Sequence, residues 1–240
     1  MAQLHFSGDQ QADRLISNDP LALLIGMVLD QQISIEQAFR GPAALVERLG
    51  FTEPIDPHRI FAMDPETLVQ AFSRKPSIHR YPASMATRVH ELCGVLAREY
   101  EGDASRIWRT ARDGEELRAR VGALPGFGPR KARIFVALCG KQLGSCPPGW
   151  ELASHPFGEP GSFLSVADVV DAASLAEVRR RKREAKSAAK AAGGSMAKAA
   201  GGSMAKAAGG SMAKAAGGSA AAPTPAGKGR SGTHADRTAQ

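Results

Sequence analysis

The chain has 240 residues, 43% hydrophobic, with a formal net charge of +7 and three cysteines; that length suits one large or two small domains. The charge is unevenly divided: 18 basic against 22 acidic side chains in residues 1–178 (−4), but 13 against 2 in residues 179–240 (+11). This split excludes a strongly basic folded domain, and the longest apolar run, PLALLIGMVL at residues 20–29, is too short to span a bilayer.

The opening MAQLHFSGDQQADRL is polar and lacks the basic-then-apolar layout of an export signal. Cys93, Cys139 and Cys146 form no CxxC pair. A reduced, cytoplasmic protein without a cysteine-held metal is the expectation. From Asp19 to about Glu177 the pattern is helical nearly throughout. Asp19-Pro20 reads as an N-cap with proline at the first helical position, and Ser34 can cap a second helix that bends at Gly41-Pro42 and stops near Gly50. Asp64-Pro65 repeats the cap signature. Pro82 can open a helix whose Met85, Val89, Leu92 and Leu96 share a face, and Asp103 and Asp113 can cap two more. No alternating β-branched run is long enough for a strand. The expected class is all-α, with roughly eight helices.

The stretch LPGFGPRKARIFVALCGK, residues 124–141, is the most informative. A tight turn between two helices needs residues that tolerate positive φ, and Gly126 and Gly128 can supply them. Pro129 then opens the second helix, leaving free backbone N–H groups at a helix N-terminus, a natural seat for phosphate oxygens. Arg130, Lys131 and Arg133 follow at once, where the helix dipole disfavours cations, so an external anion is expected to balance them. The competing reading is an ordinary helical corner with solvated basic residues.

After Val178 the composition changes. RRRKREAKSAAK leads into AKAAGGS and three copies of MAKAAGGS, starting at Met196, Met204 and Met212. Such units bury too little to offset their ordering entropy, so residues 179–240 are expected to be a disordered basic tail. It is either a spacer or an arm that condenses on polyanions.

With these residues in view, LPGFGPRKA resembles the helix-hairpin-helix of the HhH-GPD superfamily of DNA glycosylases. LLIGMVLDQQISIEQAF resembles the helix near the start of that fold, with Gln31, Gln32, Ile33 and Ser34 matching its Gln-Gln-[Val/Ile]-Ser tetrad. HRYPASMATRVHELCGVLA is similar to its middle helices. The resemblance covers about residues 15–178, taken with residues 1–14 as one domain of 1–178. It implies an enzyme that flips an aberrant base out of double-stranded DNA and hydrolyses its N-glycosidic bond. Gly126, Phe127, Gly128, Arg130, Lys131 and Arg133 would hold the backbone, and Gln31 or Gln32 would fill the gap in the stack.

The resemblance also implies a catalytic aspartate about 25 residues beyond the leucine of the hairpin. Counting from Leu124 reaches CPPGWEL, which has none. If residues 146–163 are an insertion, Asp168 in SVAD takes that place, with Asp171 the alternative and Asp30 an outside candidate. The competing reading makes Asp168 a turn cap. Where the lyase branch of the superfamily carries a nucleophilic lysine, this chain has Arg130, so a monofunctional hydrolase is implied. No iron–sulfur cluster is expected, and a monovalent cation at the hairpin is compatible with the motif. His79, Arg80 and Tyr81 are candidates for touching DNA. Trp108 and Trp150 read mainly as packing residues, with Trp150 a lesser candidate for lining a base pocket. The expected protein is a nucleoid-associated, cytoplasmic monomer; the alternative is a non-catalytic helix-hairpin-helix DNA-binding protein.

Overall fold

A computed structural model describes residues 3–51 and 54–204, with side chains as far as residue 188. The chain divides into two units, Met1–Ala191 and Ala192–Gln240, and every side chain described below belongs to the first. Among the described residues there is helix and no strand: α1 (Gln10–Asn18), α2 (Pro20–Leu29), α3 (Ile35–Leu49), α4 (Pro57–Phe61), α5 (Pro65–Ser73), α6 (Pro82–Glu99), α7 (Arg106–Arg109), α8 (Gly114–Gly122), α9 (Pro129–Leu138), α10 (Trp150–Ser154) and α11 (Ala172–Met204). A π-helical turn, Cys139–Leu143, extends α9, and a 3₁₀ turn, Val166–Asp168, precedes α11.

The ten-residue apolar run is α2, in which every residue from Leu21 to Leu29 is buried. A helix apolar all round must be enclosed by protein, and α1, α3 and α6 enclose it. Asp19 starts it, accepting from the Leu21 and Ala22 amides at 2.8 and 3.1 Å while its second oxygen accepts from Ile55 N at 2.6 Å. One carboxylate therefore caps the central helix and ties the segment before α4 to it. No helix among the described residues is long and apolar enough to cross a membrane.

Most expected caps are present: Ser34, Asp64 and Asp113 accept from the amides of Gln37, Thr67 and Glu116. Gly50 ends α3 at φ +61°, a left-handed stop that suits glycine. Two expectations differ. α3 runs unbroken through Gly41-Pro42 from Ile35 to Leu49. The polar N-terminus contributes α1, capped by Asp9, with buried Asp13 accepting from the Phe6 and Ser7 amides at 3.0 and 2.8 Å. That contact folds Leu4 and Phe6, both fully buried, onto the core.

Residues 146–163, expected as an insertion, hold α10, which packs against α8 and α9. Trp150 covers Gly140 so closely that a Cβ there would lie 2.2 Å from the indole. Trp150 is thus a packing residue. Trp108, 7% exposed, packs on Phe135 with ring centroids 5.5 Å apart.

α11 runs through the expected boundary at 178/179, so residues 179–204, expected without structure, continue it as helix; residues 205–240 of the expected tail lie outside the described residues. Alanine, lysine and arginine favour helix. Arg180 pairs with Glu177 and Glu184, and Arg181 with Glu177, at the three- and four-residue spacings that reinforce one. Leu175 and Val178 anchor α11 in the core.

Candidate nucleic-acid interface

The hairpin is α8, a six-residue turn and α9. Gly126 has φ +83°, and a Cβ there would also lie 3.1 Å from Val28 Cγ1, so conformation and space both require glycine. The expectation of positive φ fails at Gly128, where φ is −112° and ψ 178°, ordinary extended backbone open to any residue. A Cβ at Gly128 would meet nothing within 4 Å. Phe127 is buried, with its N–H donating to Leu124 O at 3.0 Å and its ring edge-on to Phe135. Gly128 N-caps α9 without a side-chain bond, and its carbonyl accepts from Ala132 N at 3.0 Å. The N–H groups of Gly126, Gly128, Arg130 and Lys131 have no acceptor among the described residues. They form a cluster of open donors at a helix N-terminus.

The three basic residues go three ways. Arg133 is exposed, with no partner among the described residues. Arg130 is exposed but lies 5.0 Å above the ring of Phe157. Lys131, expected to face phosphate, turns to the end of α2 and donates to Val28 O at 2.7 Å. A helix C-terminus offers unsatisfied carbonyls and the negative end of the dipole, which draws an ammonium inward. Burial pushes the Lys131 pKa down to about 8; Asp30 opposes that shift, while Arg88 and Lys182 add to it.

Lys131 thereby joins the hairpin to the Gln31–Gln32 segment. Gln31 is held on both ends of its amide: Nε2 donates to Val28 O at 2.8 Å, and Oε1 accepts from Arg88 at 2.9 Å. Its backbone carbonyl lies 2.9 Å from His79 Nε2, and the His79 Nδ1 accepts from Tyr81 N at 3.0 Å. Nε2 therefore carries the proton and donates to Gln31 O. Gln32, by contrast, is exposed and sits at φ +58°, an uncommon conformation for a residue with a Cβ. Tyr81 is 43% exposed, with the Arg80 guanidinium 5.4 Å from its ring. The turn, the Gln31–Gln32 segment and the corner before α6 are tied by these bonds into one surface.

The aspartates lie elsewhere. Asp168 is bonded to Lys141, 2.6 Å from Nζ to Oδ1, with their side chains 4% and 14% exposed. Lys141 is eleven residues beyond Arg130, about 16 Å along the helix at 1.5 Å per residue. The other Asp168 oxygen accepts from Leu164 N at 3.0 Å and Ser162 Oγ at 3.1 Å, and Asp168 closes a capping box with Ser165. Asp171 is exposed and caps α11, accepting from Ser174 N at 2.7 Å. Hydrogen bonds from Ser174 hold its pKa below the usual carboxylate value. α11 links the two regions: Arg181 donates to Ser162 O at 2.8 Å, and its neighbour Lys182 approaches Asp30 at 3.5 Å. Among the described residues no three His, Cys, Asp or Glu side chains converge on a position for a metal ion.

A family model described as the HhH-GPD superfamily base excision DNA repair protein matches residues 25–198. The chain belongs to that superfamily. No curated protein and no solved structure matches it. The HhH-GPD match takes in the Gln31–Gln32 segment, the hairpin, Asp168 and the first part of α11, ending twenty residues beyond the limit expected from the sequence. Within this HhH-GPD domain, sequence reasoning missed Arg88, Lys141, Ser162 and Arg181. Arg88, Lys141 and Arg181 act on residues 57, 27 and 19 positions away, Ser162 on one six positions away, and no local motif marks them.

Proposed function

We propose that the protein is a monofunctional DNA N-glycosylase that hydrolyses the bond between deoxyribose and a damaged or mismatched base flipped out of a duplex. Superfamily membership makes it a base excision repair protein. The observation that carries the finer reading is the hairpin turn, whose open amides adjoin Lys131, which shares the Val28 carbonyl with Gln31, the neighbour of exposed Gln32. Gly128 supports it further. Neither its backbone angles nor its neighbours require glycine in the free protein, and the missing Cβ leaves its backbone open to close approach by an outside body such as a phosphate.

In this reading the turn grips a strand and Gln32 enters the stack as the base leaves, with exposed Tyr81 held through His79 to the adjoining Gln31 carbonyl. Gln31 is the positioning residue, clamped by Arg88 and His79. Asp168 supplies the carboxylate that stabilises positive charge building at C1′. The C1′–N bond breaks with its electron pair going to the base, water oxygen bonds to C1′, and the water proton leaves to the carboxylate or solvent. To face the sugar, Asp168 must exchange its Lys141 bond for the substrate. Arg130, always protonated and stacked on Phe157, offers no amine for strand scission.

The full satisfaction of the Asp168 carboxylate favours a second reading, a DNA-binding protein in which Asp168 only caps and pairs. Duplexes carrying uracil, hypoxanthine, alkylated purines or oxidised bases, treated with alkali after incubation, separate the two. The glycosylase reading expects abasic sites in at least one duplex, lost in Asp168→Asn with duplex binding retained. Duplex binding without release from any lesion leaves the second reading.

A further inference from the structure

The hairpin cations do not exhaust the basic surface near Gln32. On α11, Lys182 continues the line of buried Leu175 and Val178, at the i, i+3, i+7 spacing that keeps one helix face. Where that line leaves the core, Lys182 meets Asp30 at 3.5 Å and Arg179 meets Glu36 at 2.6 Å. These acids lie on either side of Gln31 and Gln32, and their side chains are only 14% and 16% exposed. The second oxygen of Glu36 is buried without a hydrogen-bond partner. Left alone, two half-buried carboxylates flanking this segment would repel a polyanion over less than a Debye length. α11 neutralises both.

One turn further, Arg183 and Lys186 are exposed and have no ion-pair partner among the described residues. At 100° per residue, positions 179, 182, 183 and 186 fall within an arc of about 100°. Arg179 and Lys182 are spent on Glu36 and Asp30, and Arg183 and Lys186, interleaved with them on the same face, are unspent positive charge. We propose that this face of α11 is a second phosphate-binding element, which grips the backbone of duplex DNA next to the segment that Gln32 occupies. It rests on the DNA reading above. It gives an acidic domain a row of cations on the side where its own acids would oppose binding. Arg179 and Lys182 are positioning residues, and Arg183 and Lys186 contact phosphate.

The test is titration of the full-length chain into a fluorescently end-labelled duplex of about 20 base pairs, read by anisotropy across a salt series. Thermal melts establish that each variant is folded. Each phosphate contact lowers the salt slope by about 0.9. Arg183→Gln/Lys186→Gln should therefore lose about 1.8 of slope, so that between 50 and 200 mM salt the wild type loses about twelvefold more affinity than the variant. Arg133→Gln, on the hairpin, should lose about 0.9. Arg179→Gln should weaken binding, and adding Glu36→Gln should restore it, since the acid then needs no partner. An unchanged slope in the α11 variant beside a reduced slope in Arg133→Gln overturns the proposal and leaves the DNA reading standing. No duplex binding by the wild type removes both. Tighter binding to an RNA of equal length, with the same loss of slope, overturns the choice of DNA.

Discussion

At the residue scale, the two turn glycines make opposite demands. Gly126 is left-handed and crowded by Val28, so Gly126→Ala should cost at least about 1 kcal/mol of stability. Gly128 lies in extended backbone beside open space. Gly128→Ala should change stability by less than about 1 kcal/mol, in the stabilising direction, because alanine restricts the unfolded chain. Urea unfolding of the two variants checks both values. The pattern Gly-x-Gly shows neither difference, because it contains no information about φ or about the approach of Val28. Gln31 and Gln32 are likewise indistinguishable in sequence. Arg88 and His79, which clamp one and leave the other exposed, lie 57 and 48 residues away.

At the scale of elements, Lys131 couples the hairpin to α2. Its lowered pKa means the folded protein binds that proton less tightly than the unfolded chain, whose lysine titrates near 10.5. Between about pH 8 and 10.5 the unfolded state therefore holds more protons, and stability from this group rises with pH. Below about pH 8 the cost of burying the ammonium is fully present. Wild type should accordingly gain stability relative to Lys131→Met as pH rises from 7.5 to 9.5, measured by urea unfolding at each pH. A constant difference would contradict the buried ammonium. The hairpin was legible in sequence because turn, proline and basic residues are contiguous. The Asp168 environment was not, because Lys141, 27 residues before it, and the Ser162 hydroxyl meet it only once α9 and the 3₁₀ turn pack. Low repeat complexity also hid α11. Its stability comes from Leu175 and Val178 in the core and from pairs such as Arg180–Glu177, which precede the repeats.

At the scale of the whole molecule, charge is segregated, with −4 in residues 1–178 and +11 in residues 179–240. Part of that basic excess belongs to the folded unit through Arg179, Lys182, Arg183 and Lys186. The later lysines extend the same charge into the repeats. Deleting residues 205–240 should weaken duplex binding and flatten its salt dependence while leaving single-turnover base release at saturating DNA unchanged. An identical salt slope in the truncated chain would assign those residues another task. All of this depends on the proposal that the turn at residues 126–128 presents its backbone to a DNA strand. The most direct measurement is the duplex affinity of Gly128→Ala beside its unfolding free energy. Affinity should fall at least tenfold while stability is held or slightly raised; wild-type affinity in a folded Gly128→Ala chain would contradict a backbone grip at this turn.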